Sequence, residues 1–127
     1  MSINEVNVLV LAYLGDTIYE DYVRKDLIMR NIAHVDQLQK EAVKYVSAKS
    51  QAVFLRKLQE DSFFTSEEEN VIRRARNYKS KSHPKNCDIV TYKHATALEA
   101  VIGYLELKED YGRINEIMEH ILGGNVC

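Results

Sequence analysis

The sequence predicts an all-α fold, on three observations. Apolar residues recur at helical spacing through most of the chain, and serine, threonine and aspartate stand where helix caps belong. Alternating patterns bounded by turn dipeptides are absent, and only short runs such as "CDIVTY" read as extended. With 127 residues, 46% of them apolar, the chain has enough material for one core and too little for two ordinary ones. One proline and five glycines leave little room for linkers, so residues 1–127 are expected to form a single domain.

Ser2 and Glu5 have the spacing of a capping box, which starts a first helix near Ile3 and carries it towards Arg24 or beyond. Within it Val6, Val8, Leu9, Val10, Leu11, Ala12 and Leu14 occupy every side, the pattern of a helix buried nearly all round. Asp36 with Gln39 opens a second helix through "QLQKEAVKYVSA". Ser47 or Ser50 interrupts it before a third, "QAVFLRKLQE", whose apolar stripe is Val53, Leu55 and Leu58. Ser66 with Glu69 makes another capping box, for "EENVIRRARN". A loop then runs from about Tyr78 to Val90, with Pro84 as its breaker. Thr91 caps a helix through "YKHATALEAVIGYLEL", and "GRINEIMEHIL" ends at Gly123 and Gly124, a glycine C-cap.

Several function classes are excluded by the same composition. The N-terminal apolar run lacks a basic n-region and a small-residue cleavage site, so no signal peptide is expected. No stretch approaches the roughly 20 apolar residues of a membrane span. Cys87 and Cys127 have no CxxC or disulfide-framework spacing, and a reduced, cytoplasmic setting is expected. A net charge of −2 argues against nonspecific coating of nucleic acid. It hides a local excess, however: "RRARNYKSKSHPKNC" holds six cations (Arg73, Arg74, Arg76, Lys79, Lys81, Lys85) and no acid.

Two acids stand out against apolar surroundings. Asp16 ends the run "VNVLVLAYLG", and Glu99 is the only charge between His94 and Glu106. A carboxylate carried into such an environment needs a cation, a metal or a set of donors to receive it. Singly, each is explained as the ion-pair partner of a Lys or Arg, or as a buried hydrogen-bond acceptor. Together they suit a hard cation such as Mg²⁺, which takes one or two carboxylates and completes its octahedron with water and phosphate oxygens. His83, Cys87 and His94 lack the close, fixed ligand pairs of a zinc site.

These residues also carry a resemblance. "LAYLGDTIYEDYVR" resembles the signature helix of the ribonuclease III catalytic domain, and "YKHATALEAVIGYLEL" resembles its second acidic motif. "VSAKSQA" and "RNYKSKSHPKNCDIVTYKHATALEAVIGYL" are similar to the branch called Mini-ribonuclease III, which has the catalytic domain without a double-stranded RNA-binding domain. The likeness runs from about Leu9 to Leu107. It implies a homodimeric all-α fold with two active sites, and hydrolysis of double-stranded RNA to 5′-phosphate and 3′-hydroxyl ends with Mg²⁺ (or Mn²⁺). For this branch it further implies maturation of the large-subunit (23S) ribosomal RNA precursor, with a ribosomal protein as a conceivable helper.

The roles carried over fall on Asp16, in "LGD", and Glu99, in "LEA", as catalytic metal ligands. Larger ribonuclease III enzymes carry further acids where this chain has Ala12 and Thr96, the pattern of the Mini branch. Two carboxylates support one tightly held ion and a second recruited with the RNA. Glu20, four residues after Asp16, shares its helix face and is a candidate to hold a water or position a neighbour; the alternative is a charge leaving the buried part of the helix. The basic segment is assigned to RNA phosphates through Arg73, Arg74, Arg76, Lys79, Lys81 and Lys85, with Asn77 and Asn86 reaching sugar hydroxyls. One of the three arginines is expected to serve the helix C-terminus instead. The eight tyrosines are read as core and interface residues, because a duplex offers no splayed bases to stack on. A dimer is also expected on physical grounds, since a helix apolar on all sides needs more cover than a small core gives. The competing readings are a catalytically inactive RNA-binding or ribosome-assembly module of the same fold, and a helical dimerisation domain.

Overall fold

The computed structural model describes residues 2–79 and 85–123. It is built of six α-helices: α1 (Val8–Met29), α2 (Val35–Val46), α3 (Ala48–Glu60), α4 (Ser66–Asn77), α5 (Ile89–Leu107) and α6 (Tyr111–Leu122). A 3₁₀ turn, Ile3–Glu5, precedes them, and no strand occurs among the described residues. α5 is the axis of the molecule: α1, α3, α4 and α6 all pack on it, and its side chains from His94 to Leu105 are buried apart from Glu99. The densest seam is α1 on α5. There two glycines face each other: a Cβ on Gly15 would meet the Glu99 carbonyl oxygen, and one on Gly103 would meet that of Leu11. Backbone touches backbone at this crossing, which no larger residue permits.

Several helix starts differ from the sequence expectation. Ser2 caps only the 3₁₀ turn, and α1 begins five residues later than predicted, where Asn7 Oδ1 accepts the Leu9 N–H at 2.7 Å. α2 starts at Val35 after His34, with no side-chain cap, so Asp36 lies inside the first turn. The capping box of α4 is Thr65 with Glu68, one residue upstream of Ser66 and Glu69. α5 is capped by Asp88, whose Oδ1 accepts the Thr91 N–H at 2.8 Å, so Thr91 is the capped residue and "CDIVTY" leads into a helix. Ser47 is the break between α2 and α3, and it caps α3. α6 ends at Gly123, which keeps a right-handed φ of −79°; Gly124, Pro84 and Cys127 lie outside the described residues.

α1 is not buried all round. Val8, Leu11, Ala12, Gly15, Tyr19, Val23 and Leu27 form its inward face, while Val10 and Tyr13 are exposed away from it and Asp16 is exposed at its margin, beside α5. The apolar run covers every side because one side packs on α5 and another remains bare, and Asp16 sits exposed at the border between the two. The expectation of a buried Asp16 is thereby corrected; of the two acids, Glu99 is the half-buried one.

Candidate active site

Asp16 and Glu99 line one open depression of about 280 Å³, together with Leu9, Ala12, Tyr13, Tyr92 and Thr96. The glycine crossing explains the meeting: it sets Gly15 against the backbone of Glu99, and Asp16 is the next residue. Ala12 and Thr96, the positions where the sequence departs from larger ribonucleases III, line the same hollow, so it holds two carboxylates rather than four. Burial, and after it the hydrogen-bonded Asp16 carboxylate, push the Glu99 carboxyl up to about 9. Glu20 adds a smaller push in the same direction, and the Gln51 amide opposes it.

Glu20 therefore acts on Glu99 through its charge. Its carboxylate lies 3.7 Å from Arg24 in an exposed i,i+4 pair, which suits a charge leaving the buried part of α1. Gln51, on α3, is the residue the sequence reading missed. It donates from Nε2 to Glu99 Oε2 at 3.4 Å and is 2% exposed. A signal for it existed, since Gln51 stands four and seven residues before Leu55 and Leu58 on the inward stripe. Tyr19, one turn beyond Gly15, is buried and donates its hydroxyl to the Tyr45 carbonyl at 2.7 Å, tying α1 to the end of α2. Burial first, and the nearby Glu99 second, push its phenol far up.

The described basic residues lie on α4 and in the segments between it and α5. Arg73 and Arg76 are exposed on α4, Asn77 ends that helix, and Lys79, Lys85 and Asn86 are exposed beyond it. Arg73 donates to Asn70 within its own helix. Arg74 is half-buried and donates to the Val6 carbonyl at 3.1 Å, so it pins α4 to the segment before α1. It is the arginine with a structural duty. Lys81 lies outside the described residues, as does His83. His94 is buried, with Nδ1 2.8 Å from the Val90 carbonyl of its own helix. Among the described residues no cluster of three or more His, Cys, Asp or Glu side chains has the geometry of a metal cage.

Residues 9–110, most of the chain and both acids, match the Ribonuclease III domain family. The chain belongs to the ribonuclease III family. Its relatives within that family include Mini-ribonuclease 3 of Brevibacillus brevis, 49% identical over 91% of this chain and 85% of the relative. Mini-ribonuclease 3 of Streptococcus pneumoniae is 38% identical over 93% of this chain and 92% of its own length. A crystal structure of a Fusobacterium nucleatum protein superposes with a TM-score of 0.83 at 32% identity, covering 97% of each chain. The protein is thus an endoribonuclease of the ribonuclease III type, in a family that acts on double-stranded RNA with the help of metal ions. No helix among the described residues is long and apolar enough to cross a membrane.

Proposed function

We propose that the chain hydrolyses double-stranded RNA to 5′-phosphate and 3′-hydroxyl ends as a single ribonuclease III-like domain, acting as a homodimer, with Asp16 and Glu99 as the catalytic carboxylates. The observation that carries this reading is their meeting in one solvent-open depression at the Gly15–Gly103 crossing. The donor set fits Mg²⁺ or Mn²⁺: two oxygen ligands, one of them held at high pKa by burial and then by its neighbour, with open space for water and phosphate oxygens. The chemistry that a divalent cation held by these two residues would supply is acidification of a water and neutralisation of charge on the scissile phosphate.

The chain's own residues do the rest. Asp16 and Glu99 would hold the ion through their carboxylate oxygens. Ala12 and Thr96 contribute no charge, which favours one resident ion and a second arriving with the RNA. Arg73, Arg76, Lys79, Lys81 and Lys85 meet phosphates, and Asn77 and Asn86 meet sugar hydroxyls. The wide, shallow minor groove of A-form RNA presents those groups rather than base edges. The substrate is the 23S ribosomal RNA precursor in the cytoplasm, on the likeness to the Mini branch, with a ribosomal protein as helper where the bare RNA is cut slowly.

The test is cleavage of long double-stranded RNA with Mg²⁺, beside EDTA and the variants Asp16→Asn and Glu99→Gln. Cleavage by wild type with 5′-phosphate ends is expected. Both variants should keep RNA binding and lose at least about a hundredfold in rate, the scale for removing a charge-stabilising group from an active site. Cleavage by either variant at the wild-type rate would refute the assignment, and binding without cleavage by wild type on generic and ribosomal RNA alike would favour the inactive module.

A further inference from the structure

Gln51 is a polar side chain on the inward face of its helix. On α3 it shares that face with Leu55 and Leu58, and it is as buried as the apolar residues around it. An amide so placed is costly unless it finds a partner. Its one side-chain hydrogen bond among the described residues goes from Nε2 to Oε2 of Glu99. α3 thus reaches across to α5 at the single acid of that buried stretch.

We propose that Gln51 is a positioning residue for Glu99: its amide holds one carboxylate oxygen and fixes the orientation in which Glu99 and Asp16 together receive a divalent cation. The inference rests on the reading of those two acids as the metal-holding pair. The choice of side chain is chemically pointed. A lysine or arginine at this place would orient Glu99 too, but its charge would compete with the cation. An apolar residue would leave Oε2 without a protein donor. A neutral amide orients the carboxylate and leaves its charge for the ion, as outer hydrogen-bond partners of metal ligands do.

The variants Gln51→Leu and Gln51→Met keep the bulk of the side chain and remove the donor. Mn²⁺ binding to the RNA-free protein, followed by electron paramagnetic resonance or calorimetry, is compared for wild type, both Gln51 variants, Asp16→Asn and Glu99→Gln. Both Gln51 variants are expected to be folded by circular dichroism, to bind RNA in EDTA as wild type does, and to hold Mn²⁺ about 10–100-fold more weakly. The Mg²⁺ concentration for half-maximal cleavage should rise by the same factor, with kcat near wild type once Mg²⁺ saturates. A merely structural role would lower the melting temperature without moving the metal titration.

A folded Gln51 variant with wild-type Mn²⁺ affinity overturns the proposal. If one variant fails to fold the other decides, and loss of fold in both also overturns it, in favour of an amide needed only for packing. Failure of the underlying reading looks different: Asp16→Asn and Glu99→Gln would then bind Mn²⁺ as tightly as wild type.

Discussion

A Cβ on Gly15 would lie 1.7 Å from the Glu99 carbonyl oxygen, and one on Gly103 would lie 1.9 Å from that of Leu11. The clashing atoms are backbone, so no rotamer relieves them and the helices must part. Gly15→Ala is expected to cost about 1–3 kcal/mol, the range for overpacking. It should also lower cleavage by about a hundredfold, because a shift of roughly 1 Å at reacting groups has that effect. Urea denaturation and single-turnover cleavage measure the two, and an alanine variant equal to wild type in both would show that the crossing does not set the site. Glu99 makes stability depend on pH. The Glu99 carboxyl is raised from 4.5 to about 9, so between those values the folded chain keeps a proton that the unfolded chain releases. Stability in EDTA must then fall as pH rises through that window, and Glu99→Gln must flatten the fall. Mg²⁺ works in the opposite sense, since it binds the deprotonated pair and stabilises more as pH rises. Melting curves across the window, with and without Mg²⁺, check both signs. Both acids were legible because each interrupts an apolar run. The exposure of Asp16 was not, because a run apolar on every side reads alike whether its second face is covered or bare.

The helix ends show why boundaries are harder to read than helices. α1, α3 and α5 are followed by Asn31, Ser62 and Glu109 with φ of 67°, 53° and 62°, left-handed positions usually held by glycine. The Asp110 N–H bonds back to the Leu105 carbonyl at 2.9 Å, and the Asp110 side chain then caps α6, so one residue closes a helix and opens the next. None of this is written in glycines. At α4 the sequence offers Thr65 beside Ser66 and Glu68 beside Glu69, so two registers of the same box were available. The structure uses the upstream one because Glu68 has a second employment. It is 3% exposed and accepts two hydrogen bonds from Arg113 of α6, each of 2.9 Å, while Arg113 also donates to the Phe63 carbonyl at 2.7 Å. The Arg113 guanidinium lies 4.3 Å from the centre of the Phe63 ring. Arg113→Ala leaves a buried carboxylate without its cation and should destabilise by about 3–5 kcal/mol. Cleavage per folded molecule should be unchanged, since this joint is not part of the depression between α1 and α5. A denaturation midpoint close to wild type would mean that water replaces the arginine at little cost.

At the scale of the whole molecule, the bare strip of α1 is a feature a single chain leaves unexplained. Val10 is 56% exposed and Tyr13 82%, one turn apart, and Asp16 follows at the strip's margin. Tyr13 also lines the depression that holds the two acids. Large apolar side chains beside a charged site are costly to leave in water and are the usual content of an interface core. A two-fold interface is self-complementary, so in a dimer one strip would serve both protomers and each copy would bring its apolar residues to the edge of the other's site. The sequence expectation of a dimer started from an all-round apolar helix. The structure supplies a narrower ground for it, the exposed side chains of Val10 and Tyr13. Tyr13→Asp tests it: the side chain is exposed in the single chain, so the monomer fold and its circular dichroism should be retained. A stable interface buries about 800 Å² per partner, and a carboxylate at its centre is costly enough to separate the protomers at micromolar concentration. Light scattering is therefore expected to give the mass of two chains for wild type and one for Tyr13→Asp. Cleavage of RNA should fall with dissociation and return as protein concentration is raised. A wild-type chain that stays monomeric at micromolar concentration, or a Tyr13→Asp variant that stays dimeric, would place the function of this strip elsewhere, with RNA as the next surface to try against it.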